Sequence, residues 1–165
     1  MSTEISRVDE GHLQRCVDLA RRALEAGDDP FGSVLVDADG AVLAEAVNRE
    51  KSDGDPTAHP ELALVRWAIA HLTSNQRATS TVYTSGEHCP MCAAAHGWAG
   101  LGRVVAAASA AQLAGWRASW GLPAGPVSPI PLTDVAPDVV LIAPVAPFDA
   151  HMHEMHRQAL GRAVR

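Results

Sequence analysis

No apolar run in these 165 residues is long enough to span a bilayer, which excludes a helical membrane protein. The N-terminus, Met1-Ser2-Thr3-Glu4-Ile5-Ser6, has neither a basic start nor an apolar core, so no signal peptide is expected and a reducing cytoplasm is the default compartment. Cysteine is scarce. Cys16, Cys89 and Cys92 suit a metal-binding pair plus a buried spare better than a disulfide framework. Positive charge is short as well: 13 Lys and Arg face 19 Asp and Glu, and the net charge of -6 argues against a large nucleic-acid footprint. The arginines near the end, Arg157, Arg162 and Arg165, read as a solvated helix face. No internal repeat is visible. What remains, 17.3 kDa with 47% hydrophobic residues and a mean hydropathy of +0.01, has the profile of one soluble globular domain over residues 1–165.

Leu13, Val17, Ala20 and Leu24 recur at helical spacing over residues 10–26, with Asp9 as cap, Gly27 as stop and Cys16 on or near the inner face. A turn at 28–32 leads to a buried strand at 33–36, and a turn at 37–40 to a return strand at 41–47, closing a hairpin. Asn48 ends that strand, where a turn-forming role and a ligand-reading role are both open. The polar run 49–57 reads as a loop. Leu62, Val65, Ile69 and Leu72 then mark a helix whose first turn holds His59, Pro60 and Glu61; proline is tolerated there because first-turn N–H groups have no intrahelical acceptors. After a polar connection at 73–80, a strand at 81–84, a helix at 89–101 and a strand at 103–107 form a βαβ unit with a right-handed crossover. Residues 109–120 are weakly helical, and 121–137, with Pro123, Pro126, Pro129, Pro131 and Pro137, reads as an irregular segment. A last strand at 139–143 and a terminal helix at 147–165 complete an α/β pattern: three layers, α/β/α, around a mixed five-stranded sheet.

The chemistry concentrates at two helix starts. Cys89-Pro90-Met91-Cys92 sits where a strand gives way to a helix, so both sulfurs can face one point and the helix dipole favours thiolate. His59 can join them from the other helix start. One His and two Cys suit zinc (Zn2+), and three protein ligands leave the fourth tetrahedral position to water, which is the mark of a catalytic site. Glu61, two residues from His59, is placed to exchange protons with that water. Taken singly, the cysteines could be a structural zinc half-site or a redox pair, and Glu61 a carboxylate favoured by the helix dipole. No second C-x-x-C completes a closed cysteine site, and a redox pair leaves His59-Pro60-Glu61 without a purpose.

Together these residues resemble the signature of the cytidine and deoxycytidylate deaminase superfamily, H-x-E followed by P-C-x-x-C. Asp29-Pro30-Phe31-Gly32, Asn48, Asp55-Pro56-Thr57-Ala58-His59 and Tyr83-Thr84-Ser85 are similar to its guanine deaminase and tRNA adenosine deaminase branch, over roughly residues 30–107. The resemblance implies a cytidine deaminase-like fold in which His59, Cys89 and Cys92 ligate zinc and Glu61 shuttles protons. It also implies that Asn48 hydrogen-bonds the base, and that Phe31, Gly32 and Ala58 line the pocket. The implied reaction is hydrolytic deamination, in which zinc hydroxide attacks the amino-bearing ring carbon, protonated Glu61 delivers a proton to the adjacent ring nitrogen, and ammonia leaves. The implied substrate is a free nucleobase or analogue, such as guanine, cytosine, isoguanine or a triazine, and the implied assembly is a homodimer. Adenosine-to-inosine editing of tRNA and deamination of a nucleoside such as cytidine are the alternatives. A binding protein with a purely structural zinc is the reading from another class.

The chain departs from that branch in three places. Its H-A-E is His59-Pro60-Glu61, which stiffens the turn; the residue before the first cysteine is His88 instead of proline, either a surface residue or a polar pocket contact. Residues 106–120 contain no Asp or Glu, which counts against guanine, since bacterial guanine deaminases use a second acid after the βαβ unit. Trp116 and Trp120 fall where the branch closes its pocket, so packing and stacking on a flat base are both open, while Trp67 and Trp98 read as core. Of His151, His153 and His156 only the last two share a helix face; they read as surface histidines, or as a terminal helix covering the pocket of its own or a partner subunit.

Overall fold

A computed structural model describes residues 5–163, and in it the first helix starts one residue after Ser6. Met1 to Glu4, Val164 and Arg165, with the side chains of Arg162 and Ala163, lie outside the described residues, and with them most of the stretch read for a signal peptide and the end of the arginine cluster. Helix α1 (Arg7–Ala26) is opened by a capping box: Ser6 Oγ accepts from the Asp9 N–H at 3.1 Å and the Asp9 carboxylate accepts from the Ser6 N–H at 2.9 Å. Asp9 is therefore the third residue of the helix and not its cap. Gly27, left-handed at φ 98°, closes it as expected.

Five strands follow: β1 (Gly32–Val36), β2 (Val42–Val47), β3 (Thr81–Gly86), β4 (Arg103–Ala108) and β5 (Leu141–Ile142), in the spatial order β2-β1-β3-β4-β5. The β1–β2 hairpin and the β1–β3 pair are antiparallel, whereas β3–β4 and β4–β5 are parallel, so the sheet is mixed. The last strand is only two residues long; Pro137 and Pro144 flank the expected run, and proline cannot donate to a ladder. The runs expected as loops each hold a short helix: α2 (Glu50–Asp53), α4 (Ser74–Thr79) and α7 (Leu132–Val135). For α4 the cause is local, a Thr73–Gln76 capping box inside a run too polar to show helical periodicity.

Alternation along the strands divides the core. Val34, Val36, Tyr83, Val105 and Ala107 face α1 and α8 (Phe148–Ala163), through Leu13, Val17, Met152 and Met155. Leu35, Val82 and Val104 face α3 (Pro60–His71) and α5 (Pro90–Ala99), through Leu64, Val65 and Ala93. This is the expected α/β/α sandwich, with α6 (Ala110–Ser119) following β4. Gly32 lets β1 press against α1: a Cβ there would sit 2.4 Å from Leu19 Cβ and 2.7 Å from Ala20 N. At the far end of the sheet Tyr83 and Arg103 both donate to the Asp9 carboxylate, each at 2.5 Å, tying α1 to β3 and β4. One of the two tryptophans expected in the core lies outside it. Trp98 is 92% exposed, because it stands on the outer side of its helix, as does Ile69 at 56%, whereas Trp67 is half-buried against the second core. Among the described residues no helix is long and apolar enough to cross a membrane.

Candidate active site

Two helix starts are built alike and lie side by side. His59 is the N-cap of α3 with Pro60 at its first position, and Cys89 is the N-cap of α5 with Pro90 at its first position. Both cap residues have extended backbone, and α3 packs along α5, so the two side chains meet at one edge of the sheet. Cys92, one turn into α5, completes the group. Pro60 thus fits the helix start without disturbing it.

His59 Nδ1 lies 3.5 Å from Cys89 Sγ and 3.6 Å from Cys92 Sγ. A tetrahedral zinc with Zn–S of about 2.3 Å and Zn–N of about 2.0–2.1 Å requires an N···S edge of about 3.5–3.6 Å. The donor set fits the ion in geometry and in chemistry. Hydrogen bonding from Cys92 outweighs burial and, with His59, brings Cys89 down to about 4, while the same contact, with Cys89 as the partner, and burial push Cys92 up. His59 is lifted to about 10, first by Cys89 and then by Glu50, against burial. Protons are thus shared among three groups that a cation would hold together.

Glu61 is 4% exposed on the first turn of α3. Its Oε1 lies 2.9 Å from Thr84 Oγ1 and 3.4 Å from Ser33 Oγ, so hydroxyls from β3 and β1 hold the carboxylate from below. Burial raises its pKa, while a hydrogen bond from its own backbone, the charge of His59 and a hydrogen bond from Thr84 oppose the rise. Above it opens a cavity of about 460 Å3, lined by His59, Glu61, Asn48, Phe31, His88 and Cys89 on the sheet side, and by Leu113 and Arg117 of α6 and residues 122–125 and 127–130 on the other.

The remaining expected residues divide. Asn48 and Phe31 line the cavity, whereas Gly32 and Ala58 are not among its lining residues: Gly32 donates to Ser85 Oγ at 3.0 Å, and the Ala58 carbonyl accepts from the Arg49 N–H at 3.0 Å. His88 is no surface residue. It is 1% exposed, its ring stands edge-on to His96 at 5.1 Å, and neither ring nitrogen has a partner among the described residues; burial holds it well below the usual histidine range. Trp116 and Trp120 turn away from the cavity onto α8, 5.1 Å and 5.3 Å from the His153 ring. His156 is not a surface histidine either, since its ring packs on Phe31 at 4.9 Å with Nε2 buried, and burial lowers it to about 4. The terminal helix therefore backs Phe31 instead of covering the cavity.

Two carboxylates at the site escaped the sequence reading. Glu87, buried, accepts from the Ala110 N–H and the Leu132 N–H, each at 2.7 Å, joining the starts of α6 and α7 to the cavity wall. Glu50 accepts from Asn48 Nδ2 at 2.6 Å and stands 3.5 Å from His59 Nε2. A carboxylate next to the cysteine motif was a signal for the first; for the second, in a polar run, there was none.

Comparison with known proteins supplies the context. The family described as cytidine and deoxycytidylate deaminase zinc-binding region matches residues 6–108. Guanine deaminase of Bacillus subtilis is 44% identical over 91 residues, covering 54% of this chain and 58% of that protein. The tRNA-specific adenosine deaminase of Haemophilus influenzae is 34% identical over 90 residues, covering 54% and 52%. The chain thus spans a little over half the length of these curated relatives. The X-ray structure of guanine deaminase from Bacillus subtilis superposes with a TM-score of 0.58 at 36% identity, covering 77% of this chain and 83% of that one.

Proposed function

Because this chain belongs to the cytidine and deoxycytidylate deaminase zinc-binding family, and so to the hydrolytic C–N deaminases, we propose that its substrate is a small amino-substituted heterocycle, a free nucleobase or base analogue. The observation that carries this reading is the convergence of a buried carboxylate, an open His/Cys/Cys group and the Asn48 amide on one cavity of about 460 Å3. That volume lies in the lower part of the roughly 300–1,000 Å3 range of small-molecule pockets.

Zinc, when bound by His59, Cys89 and Cys92, supplies Lewis-acid activation of water. Glu61 would take one proton from the attacking water to the ring nitrogen next to the amino-bearing carbon, and then the remaining hydroxyl proton to the amino nitrogen, so that the carbonyl forms as the C–N bond breaks and ammonia leaves. Thr84 and Ser33 keep the carboxylate in reach of both positions. Asn48 reads the ring edge and Phe31 packs beside it. The lack of any Asp or Glu over residues 106–120 favours a base other than guanine. Cysteines used as metal ligands suit a reducing compartment, the cytoplasm. A homodimer belongs to the same reading: Trp98 on α5 and Ile69 on α3 are exposed large apolar side chains, and sedimentation equilibrium tests whether a second copy covers them.

The test is ammonia release from guanine, cytosine, isoguanine, adenine, cytidine and aminotriazines by zinc-loaded protein. Turnover of at least one base supports the reading, and inertness towards all of them ends it. The similarity to a tRNA-specific adenosine deaminase favours a second reading, adenosine-to-inosine editing, against which the net charge of -6 weighs. Inosine formation in tRNA, with no turnover of free bases, would establish that second reading in place of the first.

A further inference from the structure

We propose that Glu50 is a positioning residue that ties the ring-reading amide of Asn48 to the metal-facing imidazole of His59; the Asn48 half rests on the deaminase reading above, the His59 half only on the donor geometry.

The backbone of Glu50 is pinned from both sides. The Arg49 N–H donates to the Ala58 carbonyl at 3.0 Å, just before His59. On the other side the buried Asp28 carboxylate accepts from the Lys51 and Ser52 N–H groups at 2.8 and 2.9 Å and from the Ser52 hydroxyl, holding the first turn of α2 against the end of α1. Glu50 is therefore delivered to its place by contacts that do not involve its side chain.

The side chain then makes two different contacts. Oε2 accepts from Asn48 Nδ2 at 2.6 Å, while the Glu50 N–H donates to Asn48 Oδ1 at 3.1 Å. An acceptor on one end and a donor on the other leave the amide a single orientation. Asn48 keeps one N–H and one oxygen lone pair for a ring edge in the cavity. Oε1 faces His59 Nε2 at 3.5 Å. A carboxylate there keeps the ring proton on Nε2 and leaves the Nδ1 lone pair to the side where both sulfurs lie. One carboxylate thus sets the direction of the base reader and the tautomer of the metal ligand.

Glu50→Gln and Glu50→Ala separate the two contacts. In Gln the oxygen can still accept from Asn48, but the amide N–H2 then meets the Nε2–H of His59, donor against donor. Zinc affinity, measured on the full chain by competition with a chromophoric chelator, should fall about tenfold or more in both variants. KM for a turned-over base, at saturating zinc, should stay near wild type in Gln and rise about tenfold in Ala, with kcat changing less than KM. Gln is isosteric, so it reports on zinc even if the Ala variant folds poorly. Zinc affinity within twofold of wild type in the Gln variant overturns the His59 half. A KM in Ala equal to wild type, or a fall in kcat alone, overturns the Asn48 half. A protein inert towards every base defeats the substrate reading, and the chelator titration then decides Glu50 by itself.

Discussion

Glu61→Gln changes one atom at the centre of the site, and the structure says what that atom does. Glu61 Oε1 is held by Thr84 and Ser33, and a glutamine oxygen can occupy the same place with the same hydroxyl partners. The metal donors are His59, Cys89 and Cys92, none of which hydrogen-bonds Glu61, so zinc content should match wild type. The amide carries no exchangeable acid, which removes general acid–base catalysis. That contribution is about 10²–10⁴ in rate, or about 3–5 kcal/mol in the barrier. The assay is ammonia release coupled to reductive amination, on whichever base the wild type turns over, with metal measured by mass spectrometry on the same sample. We expect kcat to fall by at least about a hundredfold, with KM changed by less than about tenfold. A Gln variant that keeps kcat within tenfold would refute the proton-shuttle role, and one that loses its zinc would show Glu61 to be part of the metal site instead.

Asp9 supplies a pH-dependent prediction away from the site. Burial raises its pKa, but hydrogen bonds from Ser6 and Tyr83 and the charge of Arg103 outweigh burial and hold it at about 2 instead of 3.8. Its folded pKa is depressed, so its stabilisation is present above pH 3.8 and is lost as pH falls towards 2; the shift corresponds to about 2 kcal/mol. Urea denaturation of Asp9→Asn should show that loss at pH 7 and a difference from wild type that shrinks below pH 4. Gly32→Ala forces a Cβ to within 2.4 Å of Leu19 Cβ and 2.7 Å of the Ala20 backbone nitrogen. It should cost about 1–3 kcal/mol or more by overpacking, and a melting temperature equal to wild type would contradict the close approach of β1 to α1. Trp98→Ala, by contrast, should leave monomer stability within about 0.5 kcal/mol, since the side chain is 92% exposed. A loss of several kcal/mol at a concentration where the chain is monomeric would show that Trp98 is covered after all.

What the chain order alone determined was everything encoded within a few residues. Apolar periodicity located α1 and α3, short β-prone runs between turn residues located the strands, and Pro60 and Pro90 marked the two helix starts that carry His59 and Cys89, because proline fits only where a helix N–H needs no partner. The ligand types were enough to name zinc, since one His and two thiolates leave few other ions. Tertiary structure decided the rest, for reasons of distance and burial. The contacts of Glu50 and Glu87 were hidden because their partners, His59, Ala110 and Leu132, are 9, 23 and 45 positions away, although the place of Glu87 beside the cysteine motif was a signal. His88 could be pocket or surface until the packing of α5 buried it against His96. Trp98 looked like core on composition, because periodicity shows that a helix has an apolar face but not whether a neighbour covers it. Trp116 and Trp120 were near the cavity in sequence, and the side of α6 that meets α8 took them away from it. Residue identity fixes which chemistry is available, and only the fold sets which groups stand within hydrogen-bond or coordination distance to perform it.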